Sequence, residues 1–135
     1  MLKISTDGAS RGNPGAAACS YIIKDENGTL IESYVEFLGE TTNNVAEYTA
    51  IIRALTKAHL YSDPYLTIYS DSQLAIRQIT GLYKIHKPHL QNLYNEVKKL
   101  SAQYQHVSWE HVPRTNPDVA LCDLLCNEEL DRHCI

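Results

Sequence analysis

ISTDGASRGNPG, residues 4–15, sets an aspartate between an apolar, β-branched run and a glycine-rich turn, and a second run of the same kind, AACSYIIKD (17–25), follows at once. LKIST (2–6) and AACSYIIKD therefore read as two strands, and the turn residues of SRGNPG between them predict a hairpin-like connection. Beyond a turn at DENG (25–28), the period-two pattern of TLIESYVEFLG (29–39), through Ile31, Ser33, Val35 and Phe37, predicts a third, half-exposed strand. The opening third of the chain is thus expected to be an antiparallel meander with Asp7 at the end of its first strand.

The period then changes. Tyr48, Ile51, Ile52, Leu55 and Ala58 recur at spacings of three and four, which predicts an amphipathic helix over 44–60 with Asn44 as its cap. YLTIYSD (65–71) reads as a buried strand, and SQLAIRQITG (72–81) as a helix stopped by Gly81. HKPHLQNLYNEVKKLSAQY (86–104) carries Leu90, Leu93, Tyr94, Val97 and Leu100 on one helical face, with Pro88 in the first turn, where proline is tolerated. HVSWEHV (106–112) alternates as a strand, VPRTNPD (112–118) reads as a loop, and ALCDLLCNEELD (120–131) as a closing helix. Strand, helix, strand, helix is the α/β alternation that puts strands into one sheet.

The 135 residues suit one domain, 1–135, and the 44% hydrophobic and 21% charged composition suits a soluble globular protein. No apolar run approaches the roughly 20 residues that cross a bilayer, and MLKISTDGAS lacks the apolar core of a secretory signal, so residence in the cytoplasm is expected. A reducing compartment argues against disulfides among Cys19, Cys122, Cys126 and Cys134. Cys122 and Cys126 with His133 and Cys134 fit no ordinary zinc spacing, and buried packing is the expectation for the thiols. The net charge of −4 hides an uneven distribution: from Ser72 to Trp109 only Glu96 opposes Arg77, Lys84, Lys87, Lys98 and Lys99. A basic face for phosphate binding and a solvated helix surface both fit that stretch.

Three acids stand out: Asp7 at a strand end before Gly8, Asp71 between a strand and a helix, and Glu47 in the first turn of a helix. Each has a structural explanation taken alone, since Asp71 can cap its helix, Glu47 can close a capping box with Asn44, and Asp7 can form an Asx turn. Taken jointly they point elsewhere. Strand ends in an α/β sheet lie along one edge, where ligands bind, and carboxylates gathered there repel unless a cation lies between them. Mg²⁺ takes such oxygen ligands, and two such ions can stabilise the attacking and leaving oxygens of an in-line phosphoryl displacement.

TDGASRGNPG (6–15), TNNVAEYTAIIRAL (42–55), YSDSQLAIRQITG (69–81) and DLLCNEELD (123–131) resemble, in order, the four signature blocks of type 1 ribonucleases H. LYKIHKPHLQNLYNEV (82–97) is similar to the segment these proteins carry before their last strand. The resemblance implies an α/β ribonuclease H-like fold, with a central five-stranded mixed sheet in the order 3-2-1-4-5 and helices on both faces. It implies that Asp7, Glu47, Asp71 and Asp123 bind two Mg²⁺ or Mn²⁺ ions and catalyse hydrolysis of the RNA strand of an RNA–DNA hybrid, with water as nucleophile, leaving 5′-phosphate and 3′-hydroxyl ends. Asp118, in the loop before the last helix, competes with Asp123 for the fourth position.

The same matching assigns substrate contacts to Gly8, Asn13, Asn43, Asn44, Ser72 and Gln73, with helix capping as the alternative for the asparagines; Lys84, Lys87, Lys98 and Lys99 are candidate phosphate contacts. Without an appended hybrid-binding domain, affinity is expected to depend strongly on salt, and no obligate protein partner is evident. The segment from Arg114 to Asp123 is about two residues longer than the family's compact form and lacks the histidine some relatives carry there; His111 reads as a half-buried sheet residue. That departure keeps open an alternative, a nucleic-acid-binding module of this fold with weak or no cleavage, and a third reading in which another RNA substrate is cut.

Overall fold

The computed structural model describes residues 1–133; Cys134, the fourth thiol of the zinc alternative, lies outside them. Five strands, β1 (Leu2–Gly12), β2 (Gly15–Asp25), β3 (Leu30–Thr41), β4 (Tyr65–Ser70) and β5 (His106–His111), form one sheet in the order β3-β2-β1-β4-β5. The β1–β2 and β2–β3 pairs are antiparallel, and β4 runs parallel to both β1 and β5. The mixed sheet expected from the resemblance is therefore present. Four helices accompany it: α1 (Asn43–Ala58), α2 (Gln73–Ile79), α3 (Pro88–Ser101) and α4 (Pro117–His133), with a 3-10 turn at His59–Tyr61 after α1. Among the described residues no helix is long and apolar enough to cross a membrane.

The main core joins Ile4 of β1 and Leu66 and Ile68 of β4 to Tyr48, Ile51 and Leu55 of α1, with α2 and α3 adding Ile79, Leu90 and Val97. A smaller cluster joins Ala18 of β2 to Cys126 and Leu130 of α4, with Phe37 of β3 packed against it. The period-four apolar positions of α1 thus face a sheet whose central strand is buried over most of its length.

Several boundaries differ from the sequence reading. β1 and β2 pair continuously from Leu2↔Asp25 to Gly12↔Gly15, so most of SRGNPG is strand and only Asn13 and Pro14 turn the chain. Asp7 consequently lies in mid-strand opposite Ser20. What ends nearby is the pairing with β4, whose last partners are Ser5 and Tyr69. The sheet forks there: β1 continues with β2 while β4 stops at Ser70. β3 extends to Thr41, and a register shift opposite Ala17 and Ala18 is accommodated by Gly39 at φ 75°, a bulge geometry that favours glycine.

The caps differ too. Thr42, not Asn44, caps α1, its hydroxyl accepting from Val45 N at 3.3 Å. Ser72, not Asp71, caps α2 by accepting from Ala75 N at 3.2 Å. α4 begins three residues before the expected start, because the side-chain oxygen of Asn116 accepts from the amides of Asp118 and Val119 and Pro117 occupies the first turn. Asp118 is therefore a first-turn helical residue and not a loop residue.

Candidate active site

The fork between β1 and β4 opens onto a cleft of about 450 Å³, lined by Asp7, Glu47, Asp71 and Asp123 among others. The four acids come from four elements: mid-β1, the second turn of α1, the residue after β4, and the second turn of α4. Asp7, Glu47 and Asp71 each place a carboxylate oxygen within 4.8 Å of the others. The structural alternatives for these three fail, since other residues cap both helices and Asp7 lies within a strand.

Gly8 explains how α1 reaches β1. A Cβ at Gly8 would lie 2.3 Å from the backbone carbon of Ala46 and 2.4 Å from Glu47 N, so only glycine lets the helix backbone rest on the strand. Gly8 N then donates to Glu47 Oε1 at 3.1 Å. The other carboxylate oxygen, Oε2, is buried without a hydrogen-bond partner among the described residues. The Cβ side of Gly8 is thus filled by α1, while Gly8 itself lines the cleft.

Burial is the main force raising the proton affinity of both Asp7 and Glu47, and the charges of Asp71 and Asp123 push in the same direction. The Gly8 amide and the hydrogen bond with Asp7 partly offset this at Glu47. In the protein alone the pair is driven to retain a proton. A polyvalent cation between them removes that penalty by replacing the proton.

Asp123 lines this cleft, while Asp118 does not: its Oδ1 accepts from Lys24 Nζ at 2.7 Å. Asn43 and Ser72 also line the cleft. Asn13 is at the hairpin tip, where its side-chain oxygen accepts from Asn43 N at 3.0 Å and ties β1–β2 to the start of α1. Asn44 is half-buried, Gln73 is exposed on α2, and neither lines the cleft. Lys84, Lys87, Lys98 and Lys99 are exposed, on α3 and the segment before it, and outside the cleft lining.

Two cleft residues escaped the sequence reading. His111 is exposed at the end of β5 instead of half-buried, and Arg114 approaches Asp71, with Nε 4.0 Å from Oδ2. No local pattern places His111: the parallel pairing of β5 with β4 sets it level with Ser70, the residue before Asp71.

The thiols occupy packing positions. Cys19, Cys122 and Cys126 are fully buried, and burial pushes Cys19 and Cys122 up to about 12. Cys122 Sγ is 3.4 Å from the Ser5 carbonyl, and Cys126 Sγ contacts the Ser20 hydroxyl at 3.4 Å. His133 is turned away from them, stacked on Phe37 and bonded to Glu129.

Comparison with known proteins agrees with this geometry. A family model described as reverse transcriptase-like matches residues 5–128. A ribonuclease HI of Halobacterium salinarum is 37% identical over 125 residues, covering 93% of this chain and 62% of the relative. A bifunctional protein of Mycobacterium tuberculosis is 33% identical over 129 residues, 95% of this chain and 35% of that protein. The chain thus spans about a third to three-fifths of these relatives. The crystal structure of LC11-RNase H1 in complex with RNA/DNA hybrid superposes with a TM-score of 0.92 at 34% identity, covering 100% of both chains. In its residues, its sheet and its relatives, the chain belongs to the type 1 ribonuclease H family.

Proposed function

We propose that this protein is a divalent-metal-dependent endonuclease that hydrolyses the RNA strand of RNA–DNA hybrids. One observation carries the reading: three carboxylates from separate elements meet within 4.8 Å, and one buried oxygen among them, Glu47 Oε2, has no hydrogen-bond partner among the described residues. An all-oxygen, acidic donor set fits Mg²⁺ or Mn²⁺ and not a soft metal. Asp7, Glu47, Asp71 and Asp123 would hold two such ions, which would lower the pKa of an attacking water and offset charge on the transferring phosphate, a route to 5′-phosphate and 3′-hydroxyl ends.

The chain's own residues divide the remaining work. Asp7, Glu47 and Asp71 hold the charge at the fork, and Asp123 adds a fourth carboxylate from α4. Gly8 fixes one oxygen of Glu47 and leaves the other free for a ligand. Asn43 and Ser72 offer polar groups to a sugar–phosphate backbone along the cleft, where a 2′-hydroxyl distinguishes RNA from DNA. Asn13 supports Asn43 through its backbone amide. The structure of LC11-RNase H1 with its hybrid supports the substrate class by similarity.

The test is to incubate the pure protein with a labelled hybrid, the matching duplexes and the single strands, in Mg²⁺ and in Mn²⁺, beside Asp71→Asn. Hybrid-specific cutting that vanishes in the variant is the expected result. Tight binding without cutting in either metal overturns the reading in favour of a binding module.

A further inference from the structure

On the face of the sheet that carries α4 lies a second pocket, of about 300 Å³, lined by Lys3, Ser5, Lys24, Tyr69, Asn116 and Asp118 among others. It shares no lining residue with the acidic cleft. Strand register explains its composition. Lys3 and Lys24 are directly opposite one another across the antiparallel β1–β2 pair, so both side chains rise from the same face. Ser5, two residues beyond Lys3, shares that face and is level with Tyr69 across the parallel β1–β4 pair. α4 packs chiefly against β1, β2 and β3, and the pocket opens between its first turn and β4.

Two features of this pocket have no purpose within the protein. Like charges directly opposite on neighbouring strands destabilise a sheet. Asp118 Oδ1 accepts from Lys24 Nζ at 2.7 Å and answers one lysine, whereas Lys3 has no ion pair among the described residues. The lining therefore carries one positive charge in excess. Ser5 is only 4% exposed, and its hydroxyl has no hydrogen-bond partner among the described residues. A buried hydroxyl left unpaired costs stability, so its complement is an acceptor from outside. The first-turn amides of α4 are not the attraction, since Asn116 already accepts from those of Asp118 and Val119.

We propose that this pocket is a second anion site that takes the terminal phosphate of a nucleotide, with Lys3, Lys24 and the Ser5 hydroxyl on the phosphate and the Tyr69 ring beside the base. Two ammonium groups and a hydroxyl suit a phosphate monoester, whose oxygens accept charge-assisted hydrogen bonds. The pocket is far larger than a phosphate group needs, and the half-buried Tyr69 ring offers a face on which a base of any sequence can stack. The site stands apart from the cleavage reading and holds whether or not the cleft cuts a hybrid. If the Lys24–Asp118 pair were only a tie between β2 and α4, Lys3 and Ser5 would affect no ligand.

Calorimetry on wild type, Lys3→Gln and Ser5→Ala decides it, with chelator present so that the metal-free acids of the cleft repel phosphate. AMP is expected to bind wild type, with adenosine and inorganic phosphate at least about tenfold weaker, because each supplies only part of the contacts. Lys3→Gln should weaken AMP binding about tenfold or more, and Ser5→Ala about threefold. Neither change should lower the ligand-free Tm, since one removes a repulsion and the other an unpaired hydroxyl. A short DNA oligonucleotide with and without a 5′-phosphate separates the sources of the ligand. Binding of the phosphorylated form alone assigns the site to strand ends, and binding of neither form beside bound AMP assigns it to free nucleotides; either result upholds the phosphate site. Absence of AMP binding, equal affinity for adenosine or inorganic phosphate, or AMP affinity unchanged in both folded variants overturns the proposal.

Discussion

Gly8 and Glu47 are bound to one another through the backbone amide of the first and Oε1 of the second, 3.1 Å apart, and the missing side chain of Gly8 is what allows it. Gly8→Ala is therefore expected to destabilise the protein by about 1–3 kcal/mol, because the new methyl meets α1 backbone and not a flexible side chain. The same displacement should carry Glu47 away from Asp7 and weaken Mn²⁺ binding. Urea unfolding and calorimetry check both effects, and an alanine variant of wild-type stability would contradict the close contact.

Asp7 and Glu47 give the metal-free protein a distinctive pH dependence. Burial raises their proton affinity above the unfolded value, near 4 for carboxyl groups, so the folded state holds protons that the unfolded state has released. Their contribution to stability is then present at low pH and is lost as pH rises through the raised native values. Without metal, Tm should fall from about pH 5 towards pH 9, and saturating Mn²⁺ should reverse the fall. Asp7→Asn should flatten the metal-free profile and abolish the Mn²⁺ response. A metal-free Tm that climbs over this range would refute the assignment.

Asp123 and Asp118 separate cleanly by location. Asp123→Asn is expected to lower hybrid cleavage by about 100-fold or more, whereas Asp118→Asn loses only the contact with Lys24, about 1 kcal/mol at most, and keeps activity within about twofold. Single-turnover cleavage of both variants distinguishes them, and loss of activity in Asp118→Asn alone would reverse the assignment.

Arg114, on the cleft rim with its side chain 87% exposed, is free to reach a phosphate. Arg114→Ala should raise KM for the hybrid several-fold, leave Tm unchanged, and reduce the slope of log affinity against log salt by about one. An unaltered slope would show that Arg114 meets no phosphate.

The sequence made the sheet legible because period-two and period-four patterns alternate along it, and Asp7, Glu47 and Asp71 were legible because carboxylates gathered along one sheet edge repel unless a cation lies between them. Other features depend on contacts that no local pattern encodes. The length of β1 was missed because its pairing with β2 continues from Gly8 to Gly12, through small and polar residues that read as a turn. The capping of α1 by Thr42 depends on how the hairpin turn meets the helix, through Asn13 and Asn43. His111 was misjudged because alternation along β5 says nothing about its level, which the parallel pairing with β4 sets beside Ser70. The separation of Asp118 from the cleft turns on Asn116 starting α4 early, a short-range effect visible only once the loop is folded.

The fork in the sheet has a dynamic consequence. Beyond Ser5, β1 keeps β2 on one edge and has no strand on the other, so one wall of the cleft is main chain, running past Asp7 to Ala9 and Ser10. A hybrid lying there would cover the main chain of Ala9 and Ser10, which is half-buried without it. Amide hydrogen exchange at Ala9 and Ser10 should slow when substrate binds to Asp71→Asn in Mg²⁺, while exchange in the fully paired Ile4 and Ser5 stays as it was.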